Sequence, residues 1–263
     1  MLEHLNDNKT YVKLLQSEIG VAVDGIAGPN TLRAAEEYYG KPVISHNGKL
    51  VPINFSGKIN HQYSLHELPD GSKNWYYRKN NIDNIVVHWG GLNAPHCYQV
   101  FFNPKYAHTS SHFLVGFNPK SKELEVLQCL DTAQVAYHAG KANKQSVGVD
   151  ICQHPQKKYF ERTKSWYKGA EIIKNPSSRG PKGDIVDIDP QLADFSREFL
   201  VALRSVLDLD HKPVCTDEEV YKIEDVKQQY SILGHHNFSV QKWDPAPWAD
   251  KLYHGIDDEM KIC

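Results

Sequence analysis

At 263 residues the chain has room for one full catalytic domain and something small besides. Its 40% apolar and 24% charged content is that of an ordinary globular protein, and a net charge of -2 lacks the basic footprint of a nucleic-acid binder. No apolar run is long enough to cross a bilayer as a helix, and residues 1–7 lack the basic and apolar regions of a secretory signal. Cys97, Cys129, Cys152, Cys215 and Cys263 are odd in number and scattered, with no CxxC pair. They read as free thiols made in a reducing compartment rather than a disulfide framework or a thiolate metal site. Fourteen histidines raise the prospect of a metal site, since imidazole is the commonest protein ligand.

Residues 9–39 are predicted to form a small helical unit. Val12, Leu14, Leu15 and Ile19 fall at roughly helical spacing, and Gly20 is a stop. Pro29 opens a second helix and Gly40 follows its end. Two helices bury little alone, so the unit needs support from elsewhere. Leu15-Gln16, Val23-Asp24-Gly25-Ile26, Gly28-Pro29-Asn30-Thr31 and Ala34-Ala35 resemble the peptidoglycan-binding module of cell-wall hydrolases, although no third helix is evident. Residues 1–40 are therefore expected as a wall-binding-like module, with a two-helix appendage docked on the next domain as the alternative. Residues 41–60, broken by Pro42, Asn47-Gly48, Pro52 and Ser56-Gly57, are expected as a linker, and 61–263 as the catalytic domain.

The run 84–88, Asn-Ile-Val-Val-His, reads as a buried central strand that ends on His88 and passes into Trp89-Gly90-Gly91. Polar residues at such strand ends are where sites on open α/β sheets are built. A helix is expected around 94–102, strands over 110–116 and 124–130 joined by a hairpin at 118–122, and a further strand over 146–152. Period-two alternation puts Val147, Val149 and Ile151 on one face of that last strand and Gly148 and Asp150 on the other. Residues 153–189 are polar and rich in breakers, the pattern of a binding loop or lid. There Tyr159, Phe160, Trp166 and Tyr167 suit either stacking on sugar or peptide, or pinning the loop. Asp189-Pro190 caps an amphipathic helix with Leu192, Phe195, Phe199, Leu200, Leu203 and Leu207 on one stripe. Residues 213–230 are charged and expected to be solvated, with one short helix.

The stretch 234–247 packs His235, His236, Lys242 and Asp244 between Gly234 and Pro245/Pro247. The prolines forbid a helix across 243–247, leaving a loop able to turn imidazole and carboxylate to a common point. Spacing alone does not separate His235 from His236.

Val86-Val87-His88, Tyr137-His138-Ala139-Gly140, Ser146-Val147-Gly148-Val149-Asp150 and Gly234-His235 followed by Lys242-x-Asp244-Pro245 occur in one order. That order resembles the zinc-dependent N-acetylmuramoyl-L-alanine amidases, the family of amidase-type phage lysozymes and peptidoglycan recognition proteins, over about residues 61–255. The resemblance implies an α/β fold with a mixed central sheet flanked by helices, and a zinc cleft at one sheet edge. It implies Zn²⁺ held by His88, His235 and Asp244 with a fourth position for water. His235 is chosen over His236 because the family's ligand follows Gly. Lys242 is implied as the oxyanion partner and Asp150 as the group handling the water proton, where relatives often carry Glu. A tyrosine that some relatives use is replaced by Ser111. His138 and Tyr137 are implied to contact the muramyl peptide. The implied partner is bacterial peptidoglycan, without nucleic acid or membrane insertion, and the implied state a monomer. The expected role is that of a phage endolysin, held in the host cytoplasm until lysis. A cytosolic muropeptide-recycling amidase and a non-catalytic peptidoglycan receptor are the alternatives; the complete ligand set argues against the receptor.

Overall fold

A computed structural model describes residues 9–63, 65, 67–226 and 229–257. Cys263 and residues 1–7 lie outside the described residues. The centre is a six-stranded mixed sheet in the order β12 (Ile232–Gly234), β5 (Asn84–Trp89), β9 (Ser146–Ile151), β6 (Phe113–Asn118), β7 (Glu123–Gln128) and β3 (Lys58–Asn60). β12, β5, β9 and β6 run parallel, β6 and β7 form an antiparallel hairpin, and β3 lies parallel to β7. The middle strands are apolar and β-branched because both faces are covered. On one face α4 (Pro190–Val206) lays Phe199, Leu200 and Leu203 over Val87, Phe113, Val115 and Val149. Asp189 caps that helix by accepting from the Gln191 and Leu192 amides. On the other face α3 (Ala94–Phe101) packs Cys97 and Phe101 against Leu114, Leu127, Cys129 and Cys152. This is the mixed α/β architecture expected from the sequence.

The expected linker is ordered instead. Val43–His46 (β1) and Lys49–Pro52 (β2) form a hairpin, and 58–60 become the sheet's edge strand β3. The breakers Asn47-Gly48 make the hairpin's turn, with φ of 51° and 71°. The hairpin supplies the apolar surface that two helices lack. Val43 and Leu50 complete a cluster with Val12 and Leu15 of α1 (Lys9–Glu18), Ala35 of α2 (Pro29–Tyr39) and Ala27 between the helices. Leu14, read as part of the apolar stripe, points outward and is 66% exposed. The hairpin's other edge faces the sheet domain: Ser45 exchanges two 2.8 Å hydrogen bonds with the buried Gln128 amide, Ser45 Oγ bonds Asp131, and His46 Nδ1 meets Thr132 Oγ1 at 2.7 Å.

The module-like motif has a physical basis in Gln16, which is 1% exposed. Its amide donates to Asp24 Oδ1, the Ile26 carbonyl and Thr31 Oγ1 and accepts the Gly25 amide at 2.8 Å, so one side chain closes the turn between the helices.

Two further expectations change. Within 153–189 there are a helical turn, Phe160–Thr163, and a hairpin of β10 (Ile172–Lys174) with β11 (Asp184–Val186). Its aromatics pin the segment: Tyr167 is buried with its hydroxyl on the Cys152 carbonyl, and Trp166 stacks on Phe117 at 6.0 Å. Residues 213–230 are only partly solvated, because Val214 bridges to Ile232 and the Cys215 amide bonds the Ile232 carbonyl at 2.9 Å. A charged surface sequence concealed this short strand-like contact.

Replacing Gln16 by Ala strands the Gly25 amide and opens the turn. Urea unfolding is expected to give a loss of about 1–3 kcal/mol; an unchanged midpoint would mean that the turn is held by something else.

Candidate metal centre

His88 lies near the carboxyl end of the buried strand β5, where it pairs with Asp150 of β9. Its side chain therefore lies on the α3 face, as does that of Asp150. β12, alongside β5, ends at Gly234 and delivers His235 into a 3-10 turn (His235–Phe238). The chain then returns: the His236 amide donates to the Asp244 carbonyl at 2.9 Å, which closes the neck of a loop with His235 and Asp244 side by side.

Three donor atoms meet at this point. His88 Nδ1 lies 3.0 Å from His235 Nδ1 and 3.3 Å from Asp244 Oδ2, and His235 Nδ1 lies 3.2 Å from the same oxygen. A four-coordinate zinc with bonds of about 2.0 Å has ligand–ligand edges of about 3.3 Å, so the triangle has the right size. His236 does not join it. Its ring is buried with Nδ1 at the Asp244 carbonyl and Nε2 at the Asp217 carbonyl, 3.3 and 3.2 Å away.

The hydrogen bonds behind His88 decide which nitrogen is bare. Ser146 Oγ gives its proton to the Ala142 carbonyl at 2.7 Å, so it accepts from His138 Nε2 at 3.2 Å. His138 Nδ1 is then an acceptor and takes the His88 Nε2 proton at 3.0 Å. His88 Nδ1 is left as a lone pair facing His235 and Asp244. An outer partner that sets tautomer and ring direction is a recurrent support of metal-bound imidazoles. Gly148 makes room for it: a Cβ there would lie 2.8 Å from the His138 ring and 2.7 Å from Ser111 Oγ.

Electrostatics keep the donors in ligand form. Burial, then the neighbouring His235, pushes His88 down to about 4 against the opposing pull of Asp244. Burial and the charge of His88 hold His138 well below its ordinary value. Burial raises Asp244, but its neighbours His235 and His88 outweigh it and hold the carboxyl well below the usual range. A neutral His88 and an ionised Asp244 beside His235 suit a divalent cation.

Lys242 is exposed at the rim, and with Asp150, Tyr137 and His138 it lines a cavity of about 340 Å³ that contains the three donors. Tyr137, His138 and Lys242 also border an adjoining groove of about 920 Å³ between the 140–143 turn and 221–224. His88, Tyr137, His138, Asp150, His235, Lys242 and Asp244 thus line one cleft. Reading the sequence missed the line from Ser146 through His138 to His88. Ser146 opens its strand visibly, but nothing in its spacing announces an outer-shell contact. Burial raises Asp150 to about 7, with Ser111 opposing and Asp244 adding to the rise.

His138→Ala is expected to weaken zinc binding about 10- to 100-fold in calorimetric titration; unchanged affinity would remove its supporting role. Asp150 has a second measurable consequence in the metal-free protein. Its folded value of about 7 exceeds the ordinary aspartate value of 3.8, so the unfolded chain releases a proton that the folded chain keeps, and stability falls as pH rises between the two. Asp150→Asn should therefore stabilise the metal-free fold by a few kcal/mol at pH 8 and leave it unchanged near pH 4. Equal effects at both values would contradict the raised carboxyl.

Residues 78–172 match the family model described as N-acetylmuramoyl-L-alanine amidase. The match holds His88, Tyr137, His138 and Asp150 but ends before His235, Lys242 and Asp244. No curated protein matches the chain. A solved structure of PlyL aligns over 78% of this chain and 96% of its own, with 14% identity and a TM-score of 0.41, a likeness too low to carry an argument. The likeness to the N-acetylmuramoyl-L-alanine amidase family is thus carried by residues 78–172 of the chain.

Proposed function

We propose that the protein is a zinc-dependent endolysin that hydrolyses the amide joining the lactyl group of N-acetylmuramic acid to L-alanine in peptidoglycan. The observation that carries this reading is the triangle of His88, His235 and Asp244, with edges of 3.0, 3.3 and 3.2 Å. These residues would hold the ion. When bound, zinc supplies a water of lowered pKa and polarises the scissile carbonyl.

The remaining steps belong to the chain's own side chains. Lys242 brings a positive charge to the carbonyl oxygen as negative charge develops there. Asp150 takes a proton from the attacking water and returns it to the leaving nitrogen of L-alanine. A carboxyl near 7 exchanges a proton in both directions at neutral pH. Its place opposite His88 on the neighbouring strand supports this role despite a side chain one methylene shorter than glutamate. Tyr137 and His138, at the junction of cavity and groove, contact the muramyl peptide. For His138 this is in addition to its bond to His88.

The N-terminal unit holds the enzyme to the wall, a reading supported by the exposed Leu14, Val23, Ile26 and Tyr38 on its surface. The protein waits as a monomer in the host cytoplasm and reaches the wall through a lesion made by another agent. The buried free thiols Cys97, Cys129, Cys152 and Cys215 suit that reducing compartment.

Purified sacculi digested with and without chelator provide the test, with the fragments read by mass. Stem peptides beginning at L-alanine are expected, lost with chelator and restored by zinc. Cut glycan strands or cleavage inside the stem peptide would overturn the activity. Action on soluble anhydro-muropeptides but not on sacculi would replace the endolysin with a recycling enzyme, and binding without release would leave a receptor.

A further inference from the structure

We propose that Arg179 is a positioning residue for Lys242, acting through the backbone of the loop that carries it. Arg179 lies outside the segment matched to the amidase family, in the irregular stretch 153–189. Its guanidinium reaches across to the returning loop. Nη2 donates to the carbonyls of Ser239 and Lys242, both at 2.8 Å, with the His236 carbonyl at 3.4 Å, while Nη1 donates to the Glu218 carbonyl at 3.1 Å. One rigid fork thus ties two points of the loop to a third segment, a geometry that a single ammonium does not reproduce.

The base of the fork is itself fixed. Asn175 Nδ2 donates to the carbonyls of Arg179 and Pro181 at 2.8 and 3.0 Å, and the Arg179 amide donates to Ser177 Oγ at 2.8 Å. Ser178 is bound through its amide and hydroxyl to the Glu218 carboxylate. Next to Arg179, Gly180 (φ 85°) lies flat against Trp243: a Cβ there would fall 2.2 Å from the indole. Trp243 packs in turn on Trp89, one residue beyond His88, with ring centroids 4.2 Å apart. The 175–180 segment therefore grips the loop on both sides of Lys242.

The metal donors have anchors of their own. His235 follows directly from β12, and Asp244 is set by the hydrogen bond of its carbonyl to the His236 amide. Between these anchors, residues 239–242 have two short links of their own, the Lys242 amide on the Ser239 carbonyl at 3.1 Å and the Gln241 amide on Ser239 Oγ at 3.2 Å. Arg179 supplies the rest. Its loss frees the ammonium-bearing segment while leaving the donor triangle in place.

This inference rests on the reading of Lys242 as the oxyanion partner, and the test separates the two. With zinc-loaded full-length protein acting on a soluble muramyl peptide, Arg179→Ala is expected to lower kcat about 10- to 100-fold. KM, zinc affinity by chelator competition, and the melting temperature should stay near those of the parent. Millimolar guanidinium ion should restore part of the lost kcat, which a general loosening of the fold would not allow. Unchanged kcat, or a loss that follows zinc release or unfolding and ignores guanidinium, would overturn the proposal. Should Arg179→Ala not fold, Arg179→Lys is read by the same measures, and failure of both to fold would make Arg179 a structural residue and also overturn it. Lys242→Ala is the separating control. Full activity there would remove the oxyanion reading whatever Arg179 does; an inactive Lys242→Ala beside a fully active Arg179→Ala would remove only the Arg179 proposal.

Discussion

Three donor atoms from two distant parts of the chain, His88 Nδ1, His235 Nδ1 and Asp244 Oδ2, meet within 3.3 Å of one another. Buried polar groups of this kind cost stability unless they are paired. The rest of the structure serves to hold them together. Parallel pairing of β12 with β5 brings residue 235 beside residue 88, and the His236–Asp244 backbone bond brings the carboxylate back to the same place. His138 and Ser146 turn the bare nitrogen of His88 toward them. A divalent ion satisfies all three atoms at once, so the metal-free arrangement stores an affinity that the fold maintains at its own cost.

Asp150 follows the same logic. A carboxyl opposite His88 on a buried strand is held near 7 chiefly by burial, which makes it a poor contributor to stability and a useful proton carrier. Sites where stability is given up in this way are where function is expected.

Much of this was legible in the sequence because it is local. Ile85-Val86-Val87 announces a doubly covered strand, and alternation alone places Asp150 away from Val147, Val149 and Ile151. The order of four short motifs carried the fold class and collected the cleft residues. What stayed hidden depends on pairing across long separations. Nothing in 58–60 says that these residues pair with 125–127, and Asn47-Gly48 reads equally as a linker break or as the hairpin turn it proves to be. Leu14 shows the limit of periodicity in a short helix, where one apolar residue of the stripe faces solvent. By spacing, His236 is the equal of His235. It is buried with both nitrogens on carbonyls, so replacing it would disturb the loop neck. The hold of Arg179 on 239–242 joins residues about sixty positions apart through backbone carbonyls, which carry no sequence signal at all.

The N-terminal unit is likewise more closely joined to the sheet domain than two helices and a tether would be. Its apolar cluster is closed by the hairpin, whose opposite edge is bonded to Gln128, Asp131 and Thr132. Wall contact by this unit would thus be transmitted to the rim of the sheet rather than through a flexible spacer.

The most direct measurement is X-ray absorption at the zinc edge of the fully loaded protein. One equivalent of zinc is expected in a shell of nitrogen and oxygen at about 2.0–2.2 Å, with the outer scattering of two imidazoles. No stoichiometric zinc, a sulfur neighbour at about 2.3 Å, or a single imidazole would contradict a centre built from His88, His235 and Asp244.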